Sequence, residues 1–309
     1  GKDSPPYYRW SYKENWEVQS PLYANAGTID GKFMYFNPYT PENLYHCWVK
    51  DSSKILLIGT TEKLAENRLA EHKLFEISAA DERLSILYHV EISQMQIRKE
   101  AYDYFKMLQE EIERTVPVVE ALKERFDIPI SIDTYKSKVA KANIKAGTDL
   151  VNDIWGMKYD KDMAKLVADT KVACCLMHNR DEASYKHFMK EMIEDIKESV
   201  KIAKEAGVKN KRIILDPGVG FGKTYDNNLE AIRCLKDLEE LGYPVLLGTS
   251  RKSVIGLSLD LPSDQRMEGT LATTVMGVMQ GVAFVRVHDV KENKRAIMMT
   301  EAVLGRKDL

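Results

Sequence analysis

Six residues able to do chemistry sit at matching places along the second part of the chain. Asp133, Asn152, His178, Asp216, Ser250 and His288 each close or follow a short apolar run. Asp133, Asn152 and Asp216 supply two carboxylates and an amide. Such a set accepts hydrogen bonds from the N–H and NH2 groups on the edge of a pterin or purine ring. Asp216 leads into a glycine-rich stretch, Gly218, Gly220 and Gly222, followed by Lys223 and Thr224. This invites a phosphate-loop reading, but no glycine stands five residues before Gly222, so the Walker spacing fails. A carboxylate beside a flexible loop better suits gripping a small heterocycle by its edge. The rival is a metal site built from Asp133, Asp216 and His178, and the plain alternative for Asp133 is an N-cap of the helix that follows it.

Two further sets carry charge. Arg251 and Lys252 stand among the hydroxyls of Thr249, Ser250 and Ser253, a grouping suited to an anionic or carbonyl-bearing ligand. Arg286 and His288 alternate along the last apolar run and so point to the same side of a strand. An arginine can stack flat on a ring while pairing with an anion. Its plainer role would be a structural ion pair with Asp289.

These residues need elements to position them. The apolar runs cover residues 128–133, 150–154, 172–178, 213–217, 244–250 and 284–289. Between them lie helical patterns at 137–146, 188–206 and 228–241, each closed by a glycine (Gly147, Gly207, Gly242) of the kind that caps a helix C-terminus. Strand and helix in strict alternation mean a parallel sheet with helical crossovers. In a closed α/β barrel the C-terminal ends of all strands meet at one mouth, whereas in an open doubly wound sheet only those at the switch point do. Polar tips on all six runs favour the barrel.

Composition sets the outer bounds. The 309 residues are 44% hydrophobic and 30% charged, which is globular, and 45 basic against 47 acidic residues give a net charge of -2. That balance argues against bulk nucleic-acid binding and against a polybasic membrane surface. No stretch approaches the roughly 18 apolar residues of a membrane helix, and the first residues carry no signal-peptide core. Four cysteines without a CxxC pair, Cys174 and Cys175 adjacent in an apolar run, fit core packing in a reducing cytoplasm.

The first 125 residues are less regular. Residues 54–59 could form a strand, 62–75 have helical periodicity, and Leu84, Ile86, Tyr88, Val90 and Ile92 alternate as in a half-exposed strand. Ser93 and Gln96 fit a capping box opening a long helix, which Pro117 restarts or kinks. The expected division is therefore a divergent region at 1–125, able to supply the first barrel strands and helices, and a barrel portion at 126–309.

Taken together the second part resembles dihydropteroate synthase. The matching stretches are ISIDTYK at 130–136, VNDIWG at 151–156, LMHNR at 176–180, LDPGVGF at 215–221, LGTSRKS at 247–253, EGT at 268–270 and VRVHD at 285–289. The resemblance implies an α/β fold, a (β/α)8 TIM barrel, and a transferase of folate biosynthesis that is the target of sulfonamides. It would condense 6-hydroxymethyl-7,8-dihydropterin pyrophosphate with p-aminobenzoate to 7,8-dihydropteroate and pyrophosphate. It further implies that Asp133, Asn152, Asp216 and Lys252 hold the pterin, with Met177 and Phe221 lining its pocket. Arg286 would stack on the ring and, with His288, bind pyrophosphate. Ser250 would lie near the p-aminobenzoate carboxylate. Lys252, Arg286 and His288 are the residues closest to the chemistry. Mg2+ on the pyrophosphate, a homodimer through late barrel helices and a cytoplasmic location complete what the resemblance implies.

The family's two early substrate loops do not occur. The nearest counterpart of the first holds Asn37, the candidate for its metal-side Asn. The pterin pocket is therefore expected to be better kept than the p-aminobenzoate pocket. Two other functions compete: a non-catalytic pterin-binding homologue, and a methyl-pterin:corrinoid transferase on the same barrel. The Ser250–Ser253 segment speaks against the latter.

Overall fold

The computed structural model describes residues 7–19, 27–29, 32–34, 46–52, 57–60 and 87–306. The chain divides into two compact units, Gly1–Glu110 and Glu111–Leu309. Asn37 and the stretch 62–75 lie outside the described residues.

In the first unit the described strands are β1 (Tyr7–Gln19), β2 (Gly27–Ile29), β3 (Lys32–Met34), β4 (His46–Ser52), β5 (Leu57–Thr60) and β6 (Leu87–Ile97). β4, β5 and β6 all pair antiparallel with β1, and β2 and β3 form a separate antiparallel ribbon. The alternation around Tyr88, Val90 and Ile92 thus belongs to a strand. The capping box expected at Ser93 and Gln96 does not form. Both residues lie in β6, in register with Ser11 and Tyr8, so ladder bonds carry the extended backbone past them. The helix begins only at Lys99 and runs to Arg125 as α1, with Pro117 inside it. The division between the units falls within α1. Among the described residues these antiparallel strands pair only with one another.

The second unit alternates as its sequence demands. β7 (Ser131–Asp133), α2 (Ser137–Ala146), β8 (Leu150–Asp153), α3 (Met163–Thr170), β9 (Ala173–Met177), α4 (Phe188–Glu205) and β10 (Ile213–Asp216) come first. Next are α5 (Tyr225–Arg233), α6 (Leu235–Glu239), β11 (Leu246–Leu247), α7 (Ser253–Leu259), α8 (Met267–Met279), β12 (Phe284–Val285) and α9 (Val290–Val303). The strands are parallel and each neighbours the next in sequence. Full ladders join β7 through β10 and join β11 to β12, and a single parallel bridge between Leu215 and Val245 links the two groups. This succession, with helices as crossovers, is that of the TIM-barrel fold.

Local chemistry explains the boundaries. Gly147 takes a left-handed φ of 116° to end α2, a conformation costly for any residue with a Cβ. The single helix expected at 228–241 is two, because Cys234 leaves helical geometry (φ -111°, ψ 32°) between α5 and α6. Thr224 opens α5 with a reciprocal capping box to Asn227. Apolar residues that alternate with the polar tips, among them Val151, Leu176, Leu215 and Leu247, are fully buried against the helices. Cys174 and Cys175 are free and buried, and burial pushes the Cys174 thiol up to about 12, so both pack as small apolar groups.

Leu215 precedes the polar tip of β10 and has no exposed surface. Leu215→Ala should lower unfolding free energy by about 2–5 kcal/mol through lost contacts and a residual cavity. Urea denaturation followed by far-UV circular dichroism measures this.

Candidate functional site

The parallel register sets the site. Asp133 lies beside Asn152, Asn152 beside Cys175, and Asp216 beside Met177. Since side chains alternate along a strand, Asp133, Asn152, Met177 and Asp216 share one face of the sheet, and all four stand at the strands' C-terminal ends. Residues of that same parity, including Ser131, Leu150, Ile214, Leu246 and Phe284, line a cavity of about 930 Å³ that reaches up to Asp133, Asn152 and Arg286.

Asp216 is the most enclosed acid of the group. It accepts a hydrogen bond from the Gly218 N–H at 2.7 Å. Burial raises its pKa, while the nearby Lys252 and the Gly218 N–H work against that rise. Lys252 in turn is pushed down by burial and held up by Asp216. Its ammonium donates to the Val219 carbonyl and sits 4.9 Å from the centre of the Phe221 ring. Lys252, Phe221 and Asp216 thus form one group, with Met177 buried on the adjoining strand. The loop that joins them needs its glycines. Gly218 and Gly222 have φ of 66° and 52°, and a Cβ at Gly218 would lie 2.0 Å from the His178 carbonyl oxygen.

Across the mouth, Arg286 donates to Asp133 at 2.6 Å. Asp289 is taken by Arg251 instead, at 2.7 Å, so the expected structural pairing of Arg286 with Asp289 is absent. Asp133 does not cap α2 either: the N-cap is Lys136, and the Ser137 N–H at the helix start donates to Asp160 at 2.7 Å. The turn after β7 is held to α1 by Thr134 and Lys136, both bonded to Glu111. Both Asp133 and Arg286 are well exposed, so their ion pair contributes little stability and remains open to a ligand.

The Ser250 hydroxyl accepts the His288 backbone N–H at 3.1 Å and lies 2.8 Å from His288 Nδ1. The two contacts together fix the imidazole against the hydroxyl, with Nε2 left on the other side of the ring. What Ser250 does in this arrangement is orient His288.

His178 is not brought to Asp133, and among the described residues no three His, Cys, Asp or Glu side chains gather to hold a metal. The rival metal site is thereby removed. His178 instead lies between Asp195 of α4 (Nε2 to Oδ2, 3.0 Å) and Lys223 (Nδ1 to Nζ, 2.8 Å). Arg180 also grips Asp195, at 2.6 Å, and Glu191. Asp195 was not singled out from the sequence, because an acid on an amphipathic helix looks like any solvated residue.

A mouth of parallel-strand tips with a buried carboxylate–amide set on one side and an arginine–histidine pair on the other defines a pterin-binding α/β barrel enzyme. Residues 103–288 match the family described as pterin binding enzyme, and the chain belongs to that family. Dihydropteroate synthase of Clostridium beijerinckii is 61% identical over 199 residues, covering 64% of this chain and 74% of that protein. The Bacillus subtilis enzyme of that name is 50% identical over 197 residues, covering 64% of this chain and 69% of its own. Among solved structures, a Clostridium difficile dihydropteroate synthase crystallised in the presence of pteroic acid superposes with a TM-score of 0.63 and 50% identity, over 65% of this chain and 76% of that one. Residues 1–120 match a different family, a domain of unknown function (DUF4249).

Burial, reinforced by the Lys223 charge, pulls the His178 pKa from 6.5 down to about 3. Protonation therefore favours the unfolded chain: this group's contribution is full above about pH 6.5 and is lost as the pH falls toward about 3. Unfolding free energies of wild type and His178→Gln, compared at about pH 7 and about pH 5, should converge at the lower pH by about 1 kcal/mol per unit. A constant difference would show that His178 does not titrate this way.

Proposed function

We propose that the chain acts as a dihydropteroate synthase, condensing 6-hydroxymethyl-7,8-dihydropterin pyrophosphate with p-aminobenzoate. The observation that carries this is the single mouth formed by Asp216, Asn152, Lys252, Asp133 and Arg286. It stands in a unit whose relatives of that name reach 61% identity. Asp216 and Asn152 accept from the ring's amine and N–H edge, and the ammonium of Lys252 donates to its ring acceptors. Phe221 and Met177 supply the apolar walls. Arg286 and His288 receive the pyrophosphate.

The reaction breaks the bond from the pterin methylene to the pyrophosphate oxygen. The electron pair leaves with pyrophosphate, which Arg286 and His288 stabilise. Positive character on the methylene spreads into the ring, where the buried Asp216 carboxylate offsets it. The arylamine lone pair then forms the new C–N bond and the amine gives up a proton, a step that needs mainly positioning. Mg2+ belongs to this proposal as a metal carried chiefly by pyrophosphate oxygens, since the described residues offer no clustered ligand set. A homodimer through the last helices is proposed on the exposed Met276 and Met279 of α8 and Met298, Met299 and Val303 of α9. The proposed location is the cytoplasm; no helix among the described residues is long and apolar enough to cross a membrane.

One observation favours a second reading. The segment where the family's early loops would lie instead matches a different family. A pterin-binding protein without turnover would keep Asp216 and Lys252 and lack those loops.

Purified protein supplied with the pterin pyrophosphate, Mg2+ and p-aminobenzoate should yield dihydropteroate, detectable by mass spectrometry. Binding of pteroic acid without product would establish the second reading. Under both readings Lys252→Ala and Asp216→Asn should each weaken pteroic acid binding by about tenfold or more, as expected on losing a charge-assisted hydrogen bond. Fluorescence titration reads this, and unchanged affinity would remove both residues from the pocket.

A further inference from the structure

Lys223 is absorbed neither by the phosphate-loop motif it resembles nor by the pocket just described, yet its ammonium is closely engaged. Its ammonium donates to the carbonyls of Gly218 (2.9 Å) and Phe221 (3.0 Å) and to His178 Nδ1 (2.8 Å). The His178 carbonyl lies at 3.5 Å as a fourth acceptor, so all three ammonium protons are engaged. The first two acceptors lie in the very loop that carries Phe221 and whose Val219 carbonyl is held by Lys252. The third is a neutral imidazole, fixed from behind by Asp195 and, through Asp195, by Arg180. The loop is further tied down where the Tyr185 hydroxyl donates to the Gly222 carbonyl at 2.6 Å, and where the Gly220 N–H donates to Asn228 at 2.6 Å.

We infer that Lys223 is a positioning residue that clamps the glycine-rich loop and so presets Phe221 and the Val219 carbonyl for the pterin. The inference rests on the pterin reading given above. Lys252 meets the loop at the Val219 carbonyl and Lys223 at those of Gly218 and Phe221, and the Asp195–His178 pair links that clamp to α4.

The clamp has a built-in pH dependence. Burial lowers the Lys223 pKa to about 7. Lys252 and Arg180 push in the same direction, while Asp216 and Asp195 oppose them. Glu191 and Tyr185 face the network through Arg180. His178 stays neutral throughout this range, with its pKa at about 3. On losing its proton Lys223 keeps only two N–H donors for these acceptors, and its hold on the loop weakens.

The experiment compares wild type, Lys223→Gln and Asp195→Asn in the whole chain. Pteroic acid affinity is titrated from about pH 6 to about pH 8.5, across the Lys223 transition. Lys223→Gln should bind about tenfold more weakly than wild type at the acid end, and the ratio should approach one at the alkaline end. Taking the ratio cancels the ligand's own titration. Asp195→Asn, which removes an acid that favours the ammonium, should move the wild-type inflection to lower pH. A ratio independent of pH, or an inflection unmoved in Asp195→Asn, overturns the inference. Hydrogen exchange of residues 218–223 in the unliganded protein reads the clamp without any pterin. Faster exchange in Lys223→Gln supports it, and equal exchange overturns it. A wild type that protects this loop yet binds no pteroic acid overturns the pterin reading and the affinity part of the inference, leaving the clamp itself as read by exchange.

Discussion

A carboxylate buried at the tip of β10 is the constraint from which the rest of the site follows. Taking an ion of this kind out of water costs several kcal/mol unless charge and hydrogen bonds are returned to it. Asp216 receives the Gly218 N–H and stands near two ammonium groups, Lys252 and Lys223. Bringing that N–H back onto the carboxylate two residues earlier requires a sharp reversal, which explains the left-handed glycine at Gly218. Bringing two lysines close to one acid raises their mutual repulsion. The structure answers by giving each of them backbone carbonyls, Val219 to Lys252 and Gly218 and Phe221 to Lys223. Acid, loop and lysines form one device; no member is placed independently of the others.

Much of this device was legible in the sequence because parallel strands have a rigid logic. A short apolar run that ends in a polar residue, repeated with helical patterns between, puts those residues at one end of a sheet. That reasoning put Asp133, Asn152 and Asp216 at the ends of strands, where they stand, whereas Lys252 entered through the family resemblance. The glycine caps gave the end of α2, whose range matches its pattern residue for residue. Partner identities were not legible. Nothing in the primary order distinguishes Asp289 from Asp133 as the partner of Arg286, because the choice depends on how the first and last described strands of the barrel unit approach each other. Asp195 was hidden for a similar reason: its role depends on α4 packing beside β9. The capping signal at Ser93 failed because a local preference of about 1 kcal/mol cannot compete with a strand ladder that continues to Ile97.

The two ends of the chain carry different kinds of order. The family match begins at residue 103, inside α1, and the described strands before that helix are antiparallel. A (β/α)8 barrel has eight parallel strands, and the described residues after α1 supply β7 through β12. The residues assigned to the pterin all come from this portion. Those that the family places around p-aminobenzoate belong in part to loops without a counterpart in this sequence. Ring recognition and turnover are thus separable here, since the first depends on groups the barrel unit holds by itself.

The two halves of the mouth also differ in how they meet a ligand. On the Asp216 side the polar groups are enclosed and already bonded, so the pocket is preorganised and little order is lost when a flat ring enters. On the Arg286 side the charges are exposed, and the Arg286–Asp133 pair exchanges with solvent at little cost. A leaving pyrophosphate carries several negative charges and must both be held and be released. An exposed arginine that can return to Asp133 is suited to that task, because the alternative partner limits how strongly the product is retained. Ser250 bonds to both the ring and the backbone of His288 and so holds that side chain in place at the same wall. Rigid recognition on one wall and exchangeable charge on the other are what a group-transfer reaction with an anionic leaving group requires.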